Sequence, residues 1–201
     1  MKKLFFNHEF LVPFTWREIE LRIGCVHTEH QKKISEGLHN LSSSSIRYRF
    51  LGSKNDFSQE ELRYLTEIDG MNHFALGVEE QDGKKRGIGI IRMVRSSKDL
   101  HQSEVAITVI DDYQKMGLGT FLLRLLILAA RERNIDRLSF TFMPTNQGIQ
   151  KLIQKMGQPL AEIRHHDSVE IIMEISAVNV IQFKSLLVKI LPEIENFHLK
   201  T

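Results

Sequence analysis

The order of apolar periodicities along this chain predicts an α+β fold, and three observations carry the prediction. Helical patterns cluster between residues 28 and 68, alternating β-branched runs follow one another from 73 to 110, and a strand–helix–strand–helix series ends in two short strands by 175. The chain has 201 residues, and neither an internal repeat nor a linker-like tract divides it. A single domain over 1–201 is therefore expected, with its core at about 19–175.

Each element has its own signal. Residues 1–16 carry aromatics and Pro13 without readable periodicity. Residues 19–26 alternate, with Ile19, Leu21 and Ile23 on one face, and read as a first strand. Thr28-Glu29-His30-Gln31 has the pattern of a capping box opening a helix to about His39. The serine run 42–45 reads as a helix entry. Ser58-Gln59-Glu60-Glu61 is a second capping box, for a helix to about Ile68. His73–Glu79 and Arg86–Val94 read as strands around a Gln81-Asp82-Gly83-Lys84 turn, and Ser103–Ile110 as a further strand. A long apolar helix is expected over Gly117–Arg133, a strand over Arg137–Met143 and a helix over Asn146–Met156. Two last strands, about Ala161–Arg164 and Val169–Ile175, flank His165-His166-Asp167. A C-terminal helix is expected over 177–192, closed by Pro192.

Composition narrows the function classes. Net charge is +2 (27 Lys+Arg against 25 Asp+Glu), too small to argue for nucleic acid or an anionic membrane as partner. The single cysteine, Cys25, excludes an intrachain disulfide and a cysteine-based metal cluster, and fits a reducing compartment. Met1-Lys2-Lys3-Leu4-Phe5-Phe6 hints at a signal peptide, but the apolar run stops at Asn7-His8-Glu9. The longest apolar run, Phe121–Ala130, is interrupted by Arg124 and falls far short of the ~20 residues a membrane span needs. A cytoplasmic protein is expected, and the oligomeric state stays open.

The strongest local signal is Gln114-Lys115-Met116-Gly117-Leu118-Gly119-Thr120, a glycine-bearing turn between a strand and a helix. Such a turn aims unpaired backbone N–H groups and the positive end of the helix dipole at one point, which suits phosphate. A dinucleotide-binding turn would need glycine or alanine where Leu122 stands, and the Gly-Lys-Ser/Thr of a nucleotide-triphosphate loop is absent. The remaining pattern, Gln/Arg-x-x-Gly-x-Gly/Ala, fits at every defined position.

That pattern resembles the pyrophosphate loop of the GCN5-related N-acetyltransferases (GNATs), which bind acetyl-coenzyme A. The likeness extends to Ser103-Glu104-Val105-Ala106-Ile107-Thr108-Val109 and Asp111-Asp112-Tyr113-Gln114, and upstream to Leu41-Ser42 through Phe50-Leu51-Gly52. Both segments are similar to the acetyltransferase domain of bacterial protein lysine acetyltransferases. The resemblance implies the GNAT fold, a mostly antiparallel twisted sheet of about six to seven strands with helices on both faces. It implies acetyl-coenzyme A as co-substrate, no metal, and an amine acceptor. The preferred acceptor is a protein lysine; a small-molecule amine is the alternative. An acyl-coenzyme A-binding regulatory module with little turnover is a second alternative.

The resemblance also assigns roles. Glu104 matches the family's base, and without it Glu104 reads as a strand-end carboxylate facing solvent. The backbone of Ile107, Thr108 and Val109 should lie along the pantetheine arm. The N–H groups of Met116, Gly117, Leu118, Gly119 and Thr120 should hold the pyrophosphate, with the side chains of Gln114 and Thr120 and the charge of Lys115 in support. Asn146 reads equally as a coenzyme ligand and as a helix N-cap. Two departures stand out: Gly157-Gln158-Pro159 replaces the usual Gly-Phe, and Ile153 occupies the place of a tyrosine that many members use as general acid. Among other conspicuous residues, His165-His166-Asp167 reads as a hairpin tip rather than a metal site, and Cys25 as core. Arg47, Tyr48, Arg49 and Phe50 read either as a coenzyme or acceptor surface or as a mixed helix face.

Overall fold

The computed structural model describes residues 5, 10–83 and 85–175. It is built from eight strands and five α-helices: β1 (Leu11–Trp16), β2 (Ile19–Cys25), α1 (Gln31–His39), α2 (Ser43–Phe50), α3 (Gln59–Thr66), β3 (His73–Glu80), β4 (Gly87–Arg95), β5 (Gln102–Val109), α4 (Leu118–Glu132), β6 (Arg137–Phe142), α5 (Gln147–Gln154), β7 (Ala161–Arg164) and β8 (Val169–Glu174). The strands form one sheet in the order β1-β2-β3-β4-β5-β6-β8-β7. Only β5 and β6 run parallel; every other neighbouring pair is antiparallel. This is the expected α+β class. The C-terminal helix expected over 177–192 lies outside the described residues.

The sheet has eight strands rather than six to seven, and β1 is the addition. Its alternation is real: Val12 and Phe14 are buried while Leu11, Pro13 and Thr15 are exposed. Two features hide it in the sequence. Leu11 is apolar on the outer face, and the hairpin turn to β2 is made by Arg17 and Glu18, both at positive φ (48° and 68°). That is the backbone of a tight hairpin turn, but it carries none of the Gly or Asn that usually announces one. Pro13 is tolerated because β1 is an edge strand with one paired side.

Two helix entries follow the capping logic. The Ser42 hydroxyl accepts from the Ser45 N–H at 3.2 Å. Ser58 and Glu61 exchange bonds, Glu61 N–H to Ser58 Oγ at 3.1 Å and Ser58 N–H to Glu61 Oε2 at 2.9 Å. The Thr28 box is a correction. Thr28–His30 is a 3₁₀ turn, and the reciprocal contact comes from His30, whose Nδ1 accepts from the His27 N–H at 2.9 Å.

A β-bulge decides which helix covers which face. The β3–β4 register shifts at Val78/Glu79, so that Val78 opposes Gly89 and Glu79 opposes Gly87. The extra residue, Ile88, turns the two glycines to opposite faces. A Cβ on Gly89 would lie 3.3 Å from Leu122 of α4, and one on Gly87 would lie 3.4 Å from Lys33 of α1. So α4 packs on one face, and α1 on the other. Helix α3 shares the face of α1, because Arg92, opposite Ala75 in register, reaches its Leu65 carbonyl. The apolar run that makes α4 hides almost completely: Leu118, Phe121 to Leu123 and Leu125 to Ala130 are all buried. Each such large side chain contributes about 1.5–3 kcal/mol by leaving water. Phe121 packs on Phe14 and Trp16 with ring centroids 5.2 and 5.3 Å apart, which ties β1 into this core.

Candidate active site

The site is built where β5 and β6 part. They pair over three residues only, Gln102–Arg137, Ser103–Leu138 and Glu104–Ser139. Beyond Glu104, β6 goes on pairing with β8, while β5 pairs with β4 alone. The edge of β5 from Val105 to Val109 thus faces a gap in the sheet.

Alternation says which peptide groups face that gap. The Ile110 N–H donates to the Ile88 carbonyl at 3.0 Å. In an antiparallel pair alternate residues exchange both bonds. The peptide groups of Thr108 and Ala106 therefore face β4, and those of Val109, Ile107 and Val105 face away from it. The Val109 carbonyl fits this phase, since it accepts from Gln114 Nε2 at 3.0 Å rather than from β4. Of the three residues expected along the pantetheine arm, Ile107 and Val109 turn their backbone to the gap. Thr108 does not; its hydroxyl is buried without a partner, and the residue lines a cavity of about 100 Å³ between the sheet and α1.

The turn after β5 has the geometry its glycines require. Gly117, the residue before α4, sits at φ +90°, and the first helical bond runs from Phe121 N–H to its carbonyl at 3.1 Å. Lys115 takes positive φ (59°) despite its Cβ. Leu118 opens α4, so the N–H groups of Leu118, Gly119 and Thr120 have no acceptor one turn back within the helix. These donors stand at the positive end of a 15-residue helix. A Cβ on Gly119 would sit 3.6 Å from Ile107 Cδ1, so the turn lies directly against β5.

The side chains divide differently from expectation. Gln114 spends its amide nitrogen internally, on the Val109 carbonyl and on Ser45 Oγ, each at 3.0 Å. Lys115 is exposed, Thr120 is half-buried and Leu118 belongs to the core. Asn146 is the N-cap of α5: its Oδ1 accepts from Ile149 N–H at 3.2 Å. Ile153 is 3% exposed and packs in the core, so no side chain at that place can give up a proton.

Asp111 holds a place that motif reading gave no role. One carboxylate accepts from Ser42 N–H (2.9 Å), Ser42 Oγ (2.8 Å) and Ser45 Oγ (2.9 Å). Burial alone would raise its pKa; the bonds from Ser42 and Ser45 outweigh that and hold it below the usual range. It fastens the start of α2 to the glycine turn. Its signal in the sequence was the Asp three residues before Gln114 together with the serine run, two features far apart along the chain.

Glu104 is exposed, at the last β5–β6 pair, where the gap opens. It shares a sheet face with Arg92 and His73: Glu104 opposes Val94, Val94 opposes His73, and Arg92 lies two residues from Val94. Arg92 is 4% exposed and donates to the Leu65 carbonyl at 3.1 Å; its other terminal nitrogen lies 3.2 Å from His73 Nε2. Burial, and secondarily the charge of Arg49, brings its pKa down to about 9. Burial, then Arg92, brings His73 down to about 4, and the His73 ring lies on Tyr64 at 5.0 Å. Helix α2 spans the gap region, with the Tyr48 hydroxyl donating to the Thr145 carbonyl at 3.3 Å.

The other conspicuous residues play no part here. His165 N–H donates to the Ser168 carbonyl at 2.8 Å in the tight β7–β8 connection, as expected of a hairpin tip. Cys25 is buried, which pushes its thiol up to about 11 and leaves it unreactive at neutral pH. Among the described residues no group of three His, Cys, Asp or Glu side chains is placed to hold a metal, and no helix is long and apolar enough to cross a membrane.

The sheet opens beside a glycine turn at the start of α4, and the sequence pattern of the acetyltransferase (GNAT) domain matches residues 31–158. The chain belongs to the GNAT family. It is 32% identical over 115 residues to Acetyltransferase Pat of Mycolicibacterium smegmatis, across 57% of this chain and 34% of that protein. It is 29% identical over 130 residues to Acetyltransferase PA5475 of Pseudomonas aeruginosa, across 64% of this chain and 69% of that one. The chain thus spans only about a third of the longer relative. The crystal structure of the GNAT domain of S. lividans PAT superposes with a TM-score of 0.73 at 20% identity, over 82% of this chain and 96% of that domain.

Proposed function

We propose that this protein transfers an acetyl group from acetyl-coenzyme A to an amine, with Glu104 as the base and a protein lysine as the acceptor. The observation that carries the reading is the position of Glu104 at the point where β5 leaves β6. The residues present fit the co-substrate. The amides of Met116 to Thr120 would hold its pyrophosphate, and the Ile107 and Val109 peptide groups would pair with its extended arm. Bound there, it supplies the acetyl group as an activated thioester.

The chain's own residues then have three tasks. A free lysine has a pKa near ~10.4, so at pH 7 only about one amine in a few thousand is neutral. The Glu104 carboxylate takes the ammonium proton, directly or through water, and frees the lone pair. An N–H on the open edge of β5 meets the negative charge that builds up on the carbonyl oxygen. The turn and the edge together fix the donor's orientation. With Ile153 in the core, the proton for the departing thiolate comes from water.

A protein lysine is favoured by the likeness of residues 41–52 and 103–120 to bacterial protein lysine acetyltransferases, and a cytoplasmic location accompanies that reading. In a Glu104→Gln variant, acetyl-coenzyme A should still raise Tm as it does for the parent. The rate of transfer should fall by about a hundredfold or more. An unchanged rate removes Glu104 from its role, and no Tm shift in the parent removes the coenzyme reading. Mass spectrometry of a cell lysate incubated with protein and acetyl-coenzyme A separates the acceptors: new acetyl-lysines support the protein acceptor, and modified metabolites alone refute it.

A further inference from the structure

We infer that the acceptor carries a carboxylate close to its amine, and that Arg49 of α2 receives it across the cleft from Glu104. The inference rests on the proposed role of Glu104, and it adds the chemistry of the acceptor.

Arg49 follows the buried Ile46 by three residues, so both project from the same side of α2, toward the sheet. Its side chain is half-buried, with the guanidinium over the Phe50 ring, 4.9 Å from the centroid. Among the described residues nothing accepts a hydrogen bond from it, and no carboxylate lies within ion-pair distance. Burial lowers its pKa while the Glu104 charge raises it, so the two groups sense each other without touching.

Its neighbours do not relieve it. Arg92 lies beneath on the same sheet face, with its two terminal nitrogens already directed at His73 and the Leu65 carbonyl. His73 is neutral above about pH 4. Arg92 adds a second positive charge next to Arg49, while Glu104 is the carboxylate that acts on Arg49. A half-buried cation without a partner is costly, and most such groups are paired in the folded state. A guanidinium fork matches a carboxylate with two parallel N–H···O bonds. The same charge repels an acceptor that brings only further ammonium groups, such as a polyamine. An amine accompanied by a carboxylate suits both ends of the cleft: the ammonium goes to Glu104 and the carboxylate to Arg49. Two sources offer that pair, a lysine next to an acidic residue in a polypeptide, or a free amino acid.

The test uses the full chain with acetyl-coenzyme A and follows thiol release. One arm compares single-lysine peptides carrying Asp or Glu beside the lysine with the same peptides carrying Asn or Gln. The other compares free amino acids with their carboxamides. The expected result is a kcat/KM at least about tenfold higher for the carboxylate member in one arm, and that arm names the source. Arg49→Gln should remove this preference through KM, and Arg49→Lys should restore only part of it, because the charge returns without the fork. Variants are compared only where their Tm matches the parent's. Equal turnover of carboxylate and amide acceptors overturns the inference alone, as does an Arg49→Gln loss that falls equally on both. Background turnover with every amine, while acetyl-coenzyme A still raises Tm, overturns it together with the acetyltransferase reading.

Discussion

Replacing Asp111 by alanine should separate α2 from the glycine turn. The carboxylate accepts three short bonds, two from Ser42 and one from Ser45, all between 2.8 and 2.9 Å, and a longer one from Gln114 Nε2 at 3.5 Å. Bonds to a charged acceptor contribute roughly 1.5–3 kcal/mol each when shielded. These are at the surface, where the freed donors find water, so about 0.7–1 kcal/mol each is the appropriate scale. Asp111→Ala should therefore cost about 2–3 kcal/mol, read as a lower urea midpoint at unchanged m-value. Asp111→Asn, which keeps the shape and loses the charge, should cost about half as much. A double-mutant cycle with Ser42→Ala should show about 1 kcal/mol of coupling. The sign of the pH dependence is set by a folded-state pKa below the unfolded one: the contribution is complete above the ordinary carboxylate range and disappears as pH falls through the folded value. The functional consequence follows from Gln114, which binds Ser45 and Val109 at once, so acetyl-coenzyme A should raise Tm less in the variant. A loss below about 0.5 kcal/mol with normal coenzyme binding would refute the claim that this carboxylate joins the two elements.

Two further outcomes are expected. Gly117→Ala should destabilise by about 1 kcal/mol, because a Cβ at φ +90° is strained while its 3.5 Å approach to Trp16 is ordinary contact; a urea midpoint at or above the parent's would contradict this. For His73, the pKa of about 4 lies below the unfolded value of 6.5, so the unfolded chain binds the proton first and stability falls as pH drops from about 6.5 to about 4. That loss amounts to at most about 3 kcal/mol, and His73→Phe should flatten the Tm profile across this window.

How much of this was legible in the sequence depended on how local each feature is. The α4 run, the Ser58 box and the strands from His73 to Val109 obey periodicities and caps contained in a few residues, and they stand where expected. Strand β1 escaped because its turn takes positive φ at Arg17 and Glu18, residue types that give no turn signal. The N-cap of α1's approach went to His27 and His30 rather than Thr28, since an intervening 3₁₀ turn shifts the register. The segments of the candidate site stand out in the sequence, but the orientation of each peptide group does not. Ile107 and Val109 face the gap and Thr108 does not, a phase set by which β4 residues pair with β5. The neighbourhood of Glu104 was hidden for the same reason: Arg49, Arg92 and His73 come from three different elements. Asn146 had two readings, and its bond to Ile149 N–H fills the capping role.

The three residue pairs between β5 and β6 give the sheet a seam. Five strands lie on one side of it and three on the other, riveted together at one end only. Along the rest, β5 is an edge strand in the middle of a sheet. On the proposed function, an extended ligand bearing amide groups would take the place of the missing strand there, so that occupancy would complete the sheet from within.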